Sequence, residues 1–433
     1  MRKVAFVPLA VALATACSDA PTSSLRAVAA RPQMETQSAA NYFAYVANTG
    51  SDNVSVIRVS DNVVVATIPV GDKPNGVAVT PNGLFAYVTN FASNDVSVIR
   101  TTDNTVVATV PVGAFASGVA VTPNGAYVYV TTYASKVAVI RTSDNTVVTY
   151  VDVGANPSAV AITPNGAYAY VTNGITSTVS VIRTSDNTVV STINGTIWPF
   201  GIAITPNGQY AYVTTIAHTD DEDDKDPVSV IRLSDNTIVG AVLVPSSSIG
   251  VAISPNGANA YIVHDYNALA VVRTSDNAVV TDLRLGDFDH TTEQVAVSPD
   301  GAFAYVTSHT PFIEAPDHIF VVRTSDNTLV QTVPVGNAPS GVAFADVPTP
   351  ARQVAQVSDV LAGLQLADGT ATSLSKKLDR ASALLSAGDT SGACTALQDF
   401  LNEVRAQSGK KIATPDADQL ISLVNAIRAR VGC

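Results

Sequence analysis

The chain has 433 residues, and all five of its histidines lie in polar segments between residues 218 and 318. The same segments hold twelve carboxylates and one lysine, Lys225. Imidazole nitrogens and carboxylate oxygens are common protein ligands for zinc and calcium. These segments therefore contain the candidate ligand-binding or metal-binding residues. The residues selected from them are His218, Asp220, Asp221, Asp223, His264, Asp265, Asp287, Asp289, His290, His309, Glu314 and His318.

Three interpretations of this cluster stay open. It is a solvated acidic rim with incidental histidines, a site for a divalent cation such as calcium or zinc, or a catalytic site. The spacing fits no standard ligand motif, because residues 220–226 lack the glycine and the terminal glutamate of an EF-hand loop. Elsewhere the chain has no nucleophile elbow, P-loop, zinc-protease or dinucleotide motif in its proper context. We therefore assign no catalytic residue.

Two other residue types suggest a role. Trp198 is the only tryptophan, and its indole either stacks on a sugar or anchors the loop that carries it. Seven arginines each precede an aspartate by three residues, which favours a repeated structural ion pair over a ring of substrate-binding charges. These arginines are Arg58, Arg100, Arg141, Arg183, Arg232, Arg273 and Arg323.

The elements that must position these residues repeat along the chain. A tyrosine within an AYVTN-like string recurs at intervals of 41 to 49 residues. That period is typical of four-stranded propeller blades. Its seven copies are Tyr45, Tyr87, Tyr129, Tyr170, Tyr212, Tyr261 and Tyr305. A Pro-Asn-Gly turn and a Ser-Asp-Asn turn recur with nearly the same spacing, and both favour tight reversals.

Each repeat divides into four short runs rich in Val, Ile, Thr and Tyr, which predict four strands. Runs such as VSVIR are apolar or small on both faces, as in a blade covered by two others. The repeats begin with the second strand type at 42–48 and end with the first type at 341–345. We therefore predict a mainly β, seven-bladed propeller over 42–347 with 1+3 strand closure. An open array or a two-sheet sandwich is the alternative, but the atypical capping repeats of an array are not evident.

The strings AYVTN, GVAVTPNG and VSVIRTSDNTVVATVPVG resemble the YVTN-type β-propeller repeats of bacterial and archaeal surface proteins. The resemblance covers all seven copies and implies the propeller fold. It leaves activity open, because the relatives include lactonase-like enzymes, quinone-cofactor-like proteins and plain surface proteins. A single tryptophan argues against the quinone-dependent type, whose propellers carry repeated tryptophan motifs.

The connections between strands differ in how strictly they repeat. The Pro-Asn-Gly and Ser-Asp-Asn turns are almost identical in every copy and lie on one face of a propeller, here named the turn face. The loops between second and third strands, and those between blades, lie on the other face and vary widely. We name this the variable face. Uniform turns are interpreted as folding devices, whereas variable loops on a rigid scaffold are where binding usually occurs.

The N-terminus is predicted to direct export. Residues 1–16 have a basic start and a short apolar run, typical of a signal peptide and too short to span a membrane. The string ATAC resembles the bacterial lipobox and implies lipid attachment at Cys17, with acyl chains as the membrane anchor. Signal cleavage nearby with an incidental Cys17 is the alternative. Residues 17–41 are interpreted as a tether, and the location as outer membrane or cell surface, with the periplasm as the alternative.

The C-terminal part changes composition and period. Residues 348–357 are predicted as a linker, and 358–433 as a small helical bundle. The string ALQDFLNEVRAQSGKKIATPDADQLISLVNAI resembles the FIMAH domain of bacterial secreted proteins. With lipid on Cys17, the remaining cysteines form an even pair, so an exported chain is expected to carry a Cys394–Cys433 disulfide.

The charge limits the choice of partner. The net charge is −12 at pH 7, and both flanking segments are slightly positive, so the negative charge resides on the propeller. Such a surface does not favour nucleic acid. The leading interpretation is a non-catalytic binding or interaction scaffold for an unidentified protein, glycan or small molecule. A metal-assisted, lactonase-like hydrolase is the alternative, and a surface-layer component is a third interpretation.

Overall fold

The computed structural model describes residues 42–216, 225–245, 247–264, 267–286, 291–310, 317–347, 349–364 and 366–433. The predicted lipidation site, Cys17, lies outside these residues. Seven four-stranded antiparallel sheets and four C-terminal helices make up this part of the chain. The predicted mainly β propeller with a small helical bundle is confirmed.

Three strands precede the first complete blade. They are β1 (Tyr42–Asn48), β2 (Asn53–Arg58) and β3 (Val63–Pro69). Blade 1 contains β4 (Pro74–Val79), β5 (Phe85–Asn90), β6 (Asp95–Arg100) and β7 (Thr105–Pro111). Blade 2 contains β8 (Ala116–Val121), β9 (Tyr127–Thr132), β10 (Lys136–Arg141) and β11 (Thr146–Asp152). Blade 3 contains β12 (Pro157–Ile162), β13 (Tyr168–Asn173), β14 (Thr178–Arg183) and β15 (Thr188–Asn194).

The remaining blades follow the same order. Blade 4 contains β16 (Pro199–Ile204), β17 (Tyr210–Thr215), β18 (Lys225–Arg232) and β19 (Thr237–Pro245). Blade 5 contains β20 (Ser248–Ile253), β21 (Asn259–His264), β22 (Ala268–Arg273) and β23 (Ala278–Arg284). Blade 6 contains β24 (Thr291–Val297), β25 (Phe303–His309), β26 (His318–Arg323) and β27 (Thr328–Pro334). Blade 7 joins β28 (Pro339–Asp346) to β1, β2 and β3.

The split seventh blade closes the ring. β28 pairs antiparallel with β1, and Ala343 lies opposite Tyr45. The innermost strand β28 also neighbours the innermost strands β24 and β4. This is the predicted 1+3 closure, and it pairs strands that an open array would leave as exposed edges.

Two sets of hydrogen bonds link neighbouring blades, and one lies toward the variable face. In blade 2 the Thr131 hydroxyl accepts a bond from the Gly118 N–H at 2.7 Å. The same hydroxyl donates to the Ser158 carbonyl of blade 3 at 3.0 Å. A threonine makes the same two bonds in four further blades. These threonines are Thr89, Thr172, Thr214 and Thr307.

The second set lies toward the turn face and uses the repeat tyrosines. The ring of each is buried between blades, as for Tyr87 at 1% exposure. In six of the seven blades its hydroxyl donates to the asparagine of the Ser-Asp-Asn-type turn in the next blade. That asparagine has positive φ, which asparagine tolerates better than most residues. The pairs are Tyr45–Asn104, Tyr87–Asn145, Tyr129–Asn187, Tyr170–Asn236, Tyr212–Asn277 and Tyr305–Asn62.

The C-terminal bundle has its own apolar core. Its helices are α1 (Pro350–Gly363), α2 (Asp368–Ser386), α3 (Thr390–Gln407) and α4 (Thr414–Val431). The core includes Val354, Val357, Leu378, Leu397, Phe400, Leu401, Leu420 and Val424. A disulfide joins Cys394 to Cys433 and ties α3 to the residues after α4. No helix in the described part of the chain is long and apolar enough to cross a membrane.

The first helix begins earlier than the sequence suggested. α1 starts at Pro350, within the residues 348–357 that were predicted as a linker. Thr349 caps it by accepting a bond from the Arg352 N–H, and Pro350 occupies the first turn. Val354 and Val357 are buried in the bundle core, so the structured bundle begins near residue 349. Pro350, inside the predicted linker, starts this helix.

Candidate functional site

The loops that lead into the inner strands share one backbone conformation. The residue before the inner strand has positive φ in five blades, although its type differs each time. These residues are Lys73, Phe115, Asn156, Trp198 and Ala338. The conformation is therefore part of the repeat, while the side chain that it displays on the variable face is specific to each blade.

An aromatic cluster lies on the variable face between blades 1 and 2. It consists of Phe91 after β5, Phe115 before β8 and Tyr133 after β9, and we name it the aromatic patch. The Phe91 ring lies 5.0 Å from the Phe115 ring and 5.2 Å from the Tyr133 ring, centroid to centroid. Phe115 is 47% exposed and Tyr133 is 36% exposed. Large exposed apolar groups in contact with one another are typical of interaction surfaces.

Backbone hydrogen bonds hold the aromatic patch in place. The Phe115 N–H donates to the side-chain oxygen of Asn94 at 2.8 Å. The Phe115 carbonyl accepts from the Tyr133 N–H at 3.4 Å. Burial raises the pKa of the Tyr133 phenol, which is hydrogen-bonded to Ser117. Because the aromatic residues are fixed before a partner arrives, binding would cost less ordering entropy.

Further exposed apolar residues occupy the same face in blades 3 and 4. Trp198 is 54% exposed, and its carbonyl accepts from the Ile216 N–H at 3.1 Å. The backbone of this residue thus fixes the loop, while the indole remains accessible. Ile197 and Ile175 are also exposed. Blades 1 to 4 therefore present apolar side chains, whereas the candidate acids and histidines occur later in the sequence, between residues 218 and 318.

The central channel is narrow and uncharged. A cavity of about 160 Å³ is bordered by the inner strands, whereas ligand pockets usually hold roughly 300–1,000 Å³. None of the described residues that line it carries an ionisable side chain. They include Asn75, Val77, Ser117, Ser158, Phe200, Val251, Gln294 and Val342. The described lining of this cavity therefore offers neither an acid nor a base for catalysis.

His264 does not face the channel. Its ring is 2% exposed, and its Nε2 lies 2.9 Å from a carboxylate oxygen of Asp282 on the outer strand β23. This hydrogen bond lowers the pKa of Asp282. In blade 1 the equivalent residue, Asn90, bonds to Ser97. Blade 5 has Ala270 at that serine position, and the imidazole extends past it to Asp282. His264 therefore forms part of the blade interior.

His309 lies beside an acid of the inner strand β24. Its Nδ1 is 3.7 Å from a carboxylate oxygen of Glu293. Both side chains are partly exposed. His318 begins β26 and lies opposite Ser308 in the sheet. The structure thus places His309 and Glu293 together, and it places His264 elsewhere.

The described residues do not form a preorganised metal site. No group of three or more His, Cys, Asp or Glu side chains in this part of the chain could hold a metal ion. Asp317 is 5% exposed, and its two carboxylate oxygens accept bonds from Thr310 and from the Ala338 N–H, which makes it a loop anchor. The remaining candidates lie outside the described residues. They are His218, Asp220, Asp221, Asp223, Asp265, Asp287, Asp289, His290 and Glu314.

The seven arginines of the turn face form ion pairs within their own turns. Each guanidinium bonds to the aspartate three residues later, as between Arg183 and Asp186 at 2.5 Å. The Arg183 bond lowers the pKa of Asp186 to about 2. The same pair occurs in all seven copies. The arginines are thus engaged in structural pairs, as favoured from their spacing.

Comparison with known proteins agrees with this architecture. Residues 37–192 match the family model described as "Lactonase, 7-bladed beta-propeller". Residues 355–429 match the model of the FIMAH domain. The chain joins a propeller similar to the seven-bladed lactonases to a FIMAH domain. The earlier resemblance to YVTN-type repeats is compatible with the first match. No curated protein matches the chain.

Solved structures share the fold of the propeller at low sequence identity. Hydrazine synthase of Kuenenia stuttgartiensis is 19% identical, with a TM-score of 0.56 over 62% of this chain and 88% of that one. Dihydro-heme d1 dehydrogenase NirN is 14% identical, with a TM-score of 0.54 over 71% and 76%. A functionally unknown protein from Desulfotomaculum acetoxidans is 16% identical, with a TM-score of 0.60 over 70% and 98%. These likenesses show the fold alone.

The aromatic patch was not selected from the sequence. Its residues occur in the variable loops FASND, GAFASG and YASK, which were noted only for their variation. The available signal was that aromatic residues stand where other repeats have Thr49, Gly174 or Ala338. That signal is weaker than the histidines and acids, whose side chains indicate chemistry directly.

Proposed function

We propose that the protein is an exported lipoprotein, anchored through Cys17, whose propeller is a non-catalytic scaffold for binding a protein partner. The aromatic patch is the contact surface. The observation that carries this proposal is that Phe91, Phe115 and Tyr133 contact one another while two of them remain substantially exposed. Clustered aromatic residues are enriched among the residues that dominate binding energy in protein interfaces.

The chemistry of the aromatic patch favours a protein over a small polar ligand. Two of its three rings are phenylalanines, which offer area without a hydrogen-bonding group. The residues nearby on the variable face include polar ones such as Lys73 and Asn94. The apolar contacts between the aromatic patch and a partner would therefore be bordered by a polar, hydrated rim. The narrow, uncharged channel is consistent with a surface function.

A capture experiment compares three forms of the full-length protein. These are the wild type, Phe115→Ala/Tyr133→Ala, and Tyr150→Ala as a control. Tyr150 is 47% exposed on the outer strand β11 and does not belong to a variable loop. A specific envelope protein should be retained by wild type and control and lost from the double variant. Calorimetry with the purified partner should then give an affinity at least tenfold weaker for the double variant. Equal capture by all three forms would refute the proposal.

A second candidate is a lactonase-like hydrolase, which the family match over residues 37–192 favours. The Glu293–His309 pair would act as its acid and base. A panel of lactones, assayed with and without a chelator, tests this function. Turnover lost in Glu293→Gln would support the hydrolase and contradict a purely non-catalytic scaffold. Chelator-sensitive turnover would additionally support metal assistance.

A further inference from the structure

A cleft on the turn face departs from the repeat. It lies between blades 3 and 4, and its volume is about 570 Å³, within the roughly 300–1,000 Å³ usual for ligand pockets. Tyr168 and Tyr210 belong to its lining, as do Asn165, Asn207, Gln209 and Arg232. We name it the turn-face cleft. It lies on the face that was interpreted from the sequence as a folding device.

Two substitutions in the repeat distinguish blade 4 at this point. In blade 3 the Thr184 hydroxyl donates to the Gly166 carbonyl of the Pro-Asn-Gly turn. Blade 4 has Leu233 at the threonine position, so this side chain supplies no donor to the Gly208 carbonyl, and both residues line the cleft. Blade 4 also has Gln209 where blade 3 has Ala167. The threonine bond to the glycine carbonyl is present in blades 1, 2, 3, 5 and 6.

The polar groups of the cleft are mainly hydrogen-bond donors. The Asn165 side-chain oxygen already accepts from Thr163 and from the Ala167 N–H. The Asn207 side-chain oxygen likewise accepts from Thr205 and from the Gln209 N–H. Since both amide oxygens are occupied within their own turns, the Asn165 amide offers a ligand its N–H groups, and the Asn207 amide offers the N–H that is not donated to the Gln209 side-chain oxygen. The Gly208 carbonyl adds an acceptor.

The cleft is close to electrically neutral. Arg232, its charged side chain, is paired with Asp235 at 2.6 Å, and the Arg232 bond lowers the pKa of Asp235 to about 2. The pair therefore stays ionised and mutually compensated at neutral pH. This arrangement disfavours phosphate or carboxylate ligands, which require an uncompensated cation.

We propose that the turn-face cleft binds a neutral carbohydrate residue. Tyrosine rings provide flat surfaces for the apolar face of a pyranose, and the amide groups and carbonyl satisfy its hydroxyls. Tyr168 is 37% exposed and therefore accessible. This site is separate from the aromatic patch on the opposite face, and it goes beyond the proposed binding function.

The test uses saturation-transfer NMR on the full-length protein with methyl glycosides of glucose, galactose, mannose and N-acetylglucosamine. At least one glycoside should bind saturably. Tyr168→Ala, which removes the exposed ring, should weaken it at least tenfold. Tyr127→Ala, at the equivalent position of blade 2 and also 37% exposed, should leave it unchanged.

A second variant returns the cleft to the repeat pattern. Leu233→Thr/Gln209→Ala gives blade 4 the residues of blade 3 and should remove binding without lowering the unfolding midpoint. The proposal is overturned if no glycoside binds, or if this variant binds as well as the wild type. Because neither substitution touches the aromatic patch, capture of the protein partner serves as an independent readout.

Discussion

The Tyr305 hydroxyl donates a hydrogen bond to the side-chain oxygen of Asn62, 243 residues away in the sequence. The bond joins blade 6 to blade 7, the blade assembled from both ends of the propeller. Tyr305 itself is fully buried. The same bond recurs between other blades, so here a repeated local device also performs the closure of the ring.

Removing this hydroxyl should destabilise the closed ring of blades. Tyr305→Phe keeps the ring packing but leaves the Asn62 oxygen without its donor, which should lower the free energy of unfolding by about 1–2 kcal/mol. Urea denaturation followed by circular dichroism measures the change. Tyr150→Phe, at an exposed position, is the matched control. An unchanged midpoint for Tyr305→Phe would mean that this hydrogen bond makes no net contribution to the free energy of unfolding.

Glycine is required where neighbouring blades approach closely. A Cβ at Gly118 would lie 2.5 Å from the Ser158 carbonyl oxygen and 2.8 Å from the Ala159 Cα, both backbone atoms. Gly118→Ala should therefore cost about 2–3 kcal/mol through overpacking. At Gly240, on the outer strand β19, an added Cβ meets nothing within 4 Å, so Gly240→Ala should be neutral or stabilising. Thermal unfolding of both variants checks this contrast.

Stability should decrease at alkaline pH. Burial raises the pKa of Tyr87, Tyr129, Tyr170 and Tyr212 from 10.0 to about 12. The folded state favours the protonated phenol. The stabilisation that results is fully present below pH 10 and is lost as pH rises through 12. Urea midpoints measured from pH 8 to 11.5 should fall above pH 10. Tyr170→Phe should reduce the steepness of that fall, and an identical slope would contradict the assignment.

The disulfide should stabilise the FIMAH domain selectively. Cys394 and Cys433 close a loop with a sequence separation of 39 residues, for which chain entropy predicts about 4 kcal/mol. Cys394→Ser/Cys433→Ser should lower the unfolding temperature of the helical transition, whereas the propeller transition should stay in place. Calorimetry resolves the two transitions. A shift of the propeller transition instead would show that the two parts unfold together.

The fold was predictable because repetition makes the same information available seven times. The period of the tyrosines, the turn residues and the strand order across the termini determined the blades and their closure. The start of α1 was predicted too late in the sequence. A proline such as Pro350 breaks the interior of a helix and is common in linkers, but it also fits the first turn of a helix.

The candidate site was less predictable, because side-chain direction depends on neighbours that only the folded blade supplies. His264 belongs to the variable loops by sequence. The absence of a serine at Ala270 lets its ring turn toward Asp282 instead of the channel. The aromatic patch likewise depends on contacts between loops of two blades, which no single repeat reveals.

The measurement that tests the central proposal most directly is calorimetric titration of the captured protein partner into wild type, Phe115→Ala/Tyr133→Ala and Tyr150→Ala. We expect the double variant to bind at least tenfold more weakly while its unfolding temperature stays close to that of the wild type. The Tyr150→Ala control should bind normally. Equal affinity for all three forms would contradict the assignment of the aromatic patch as the binding surface.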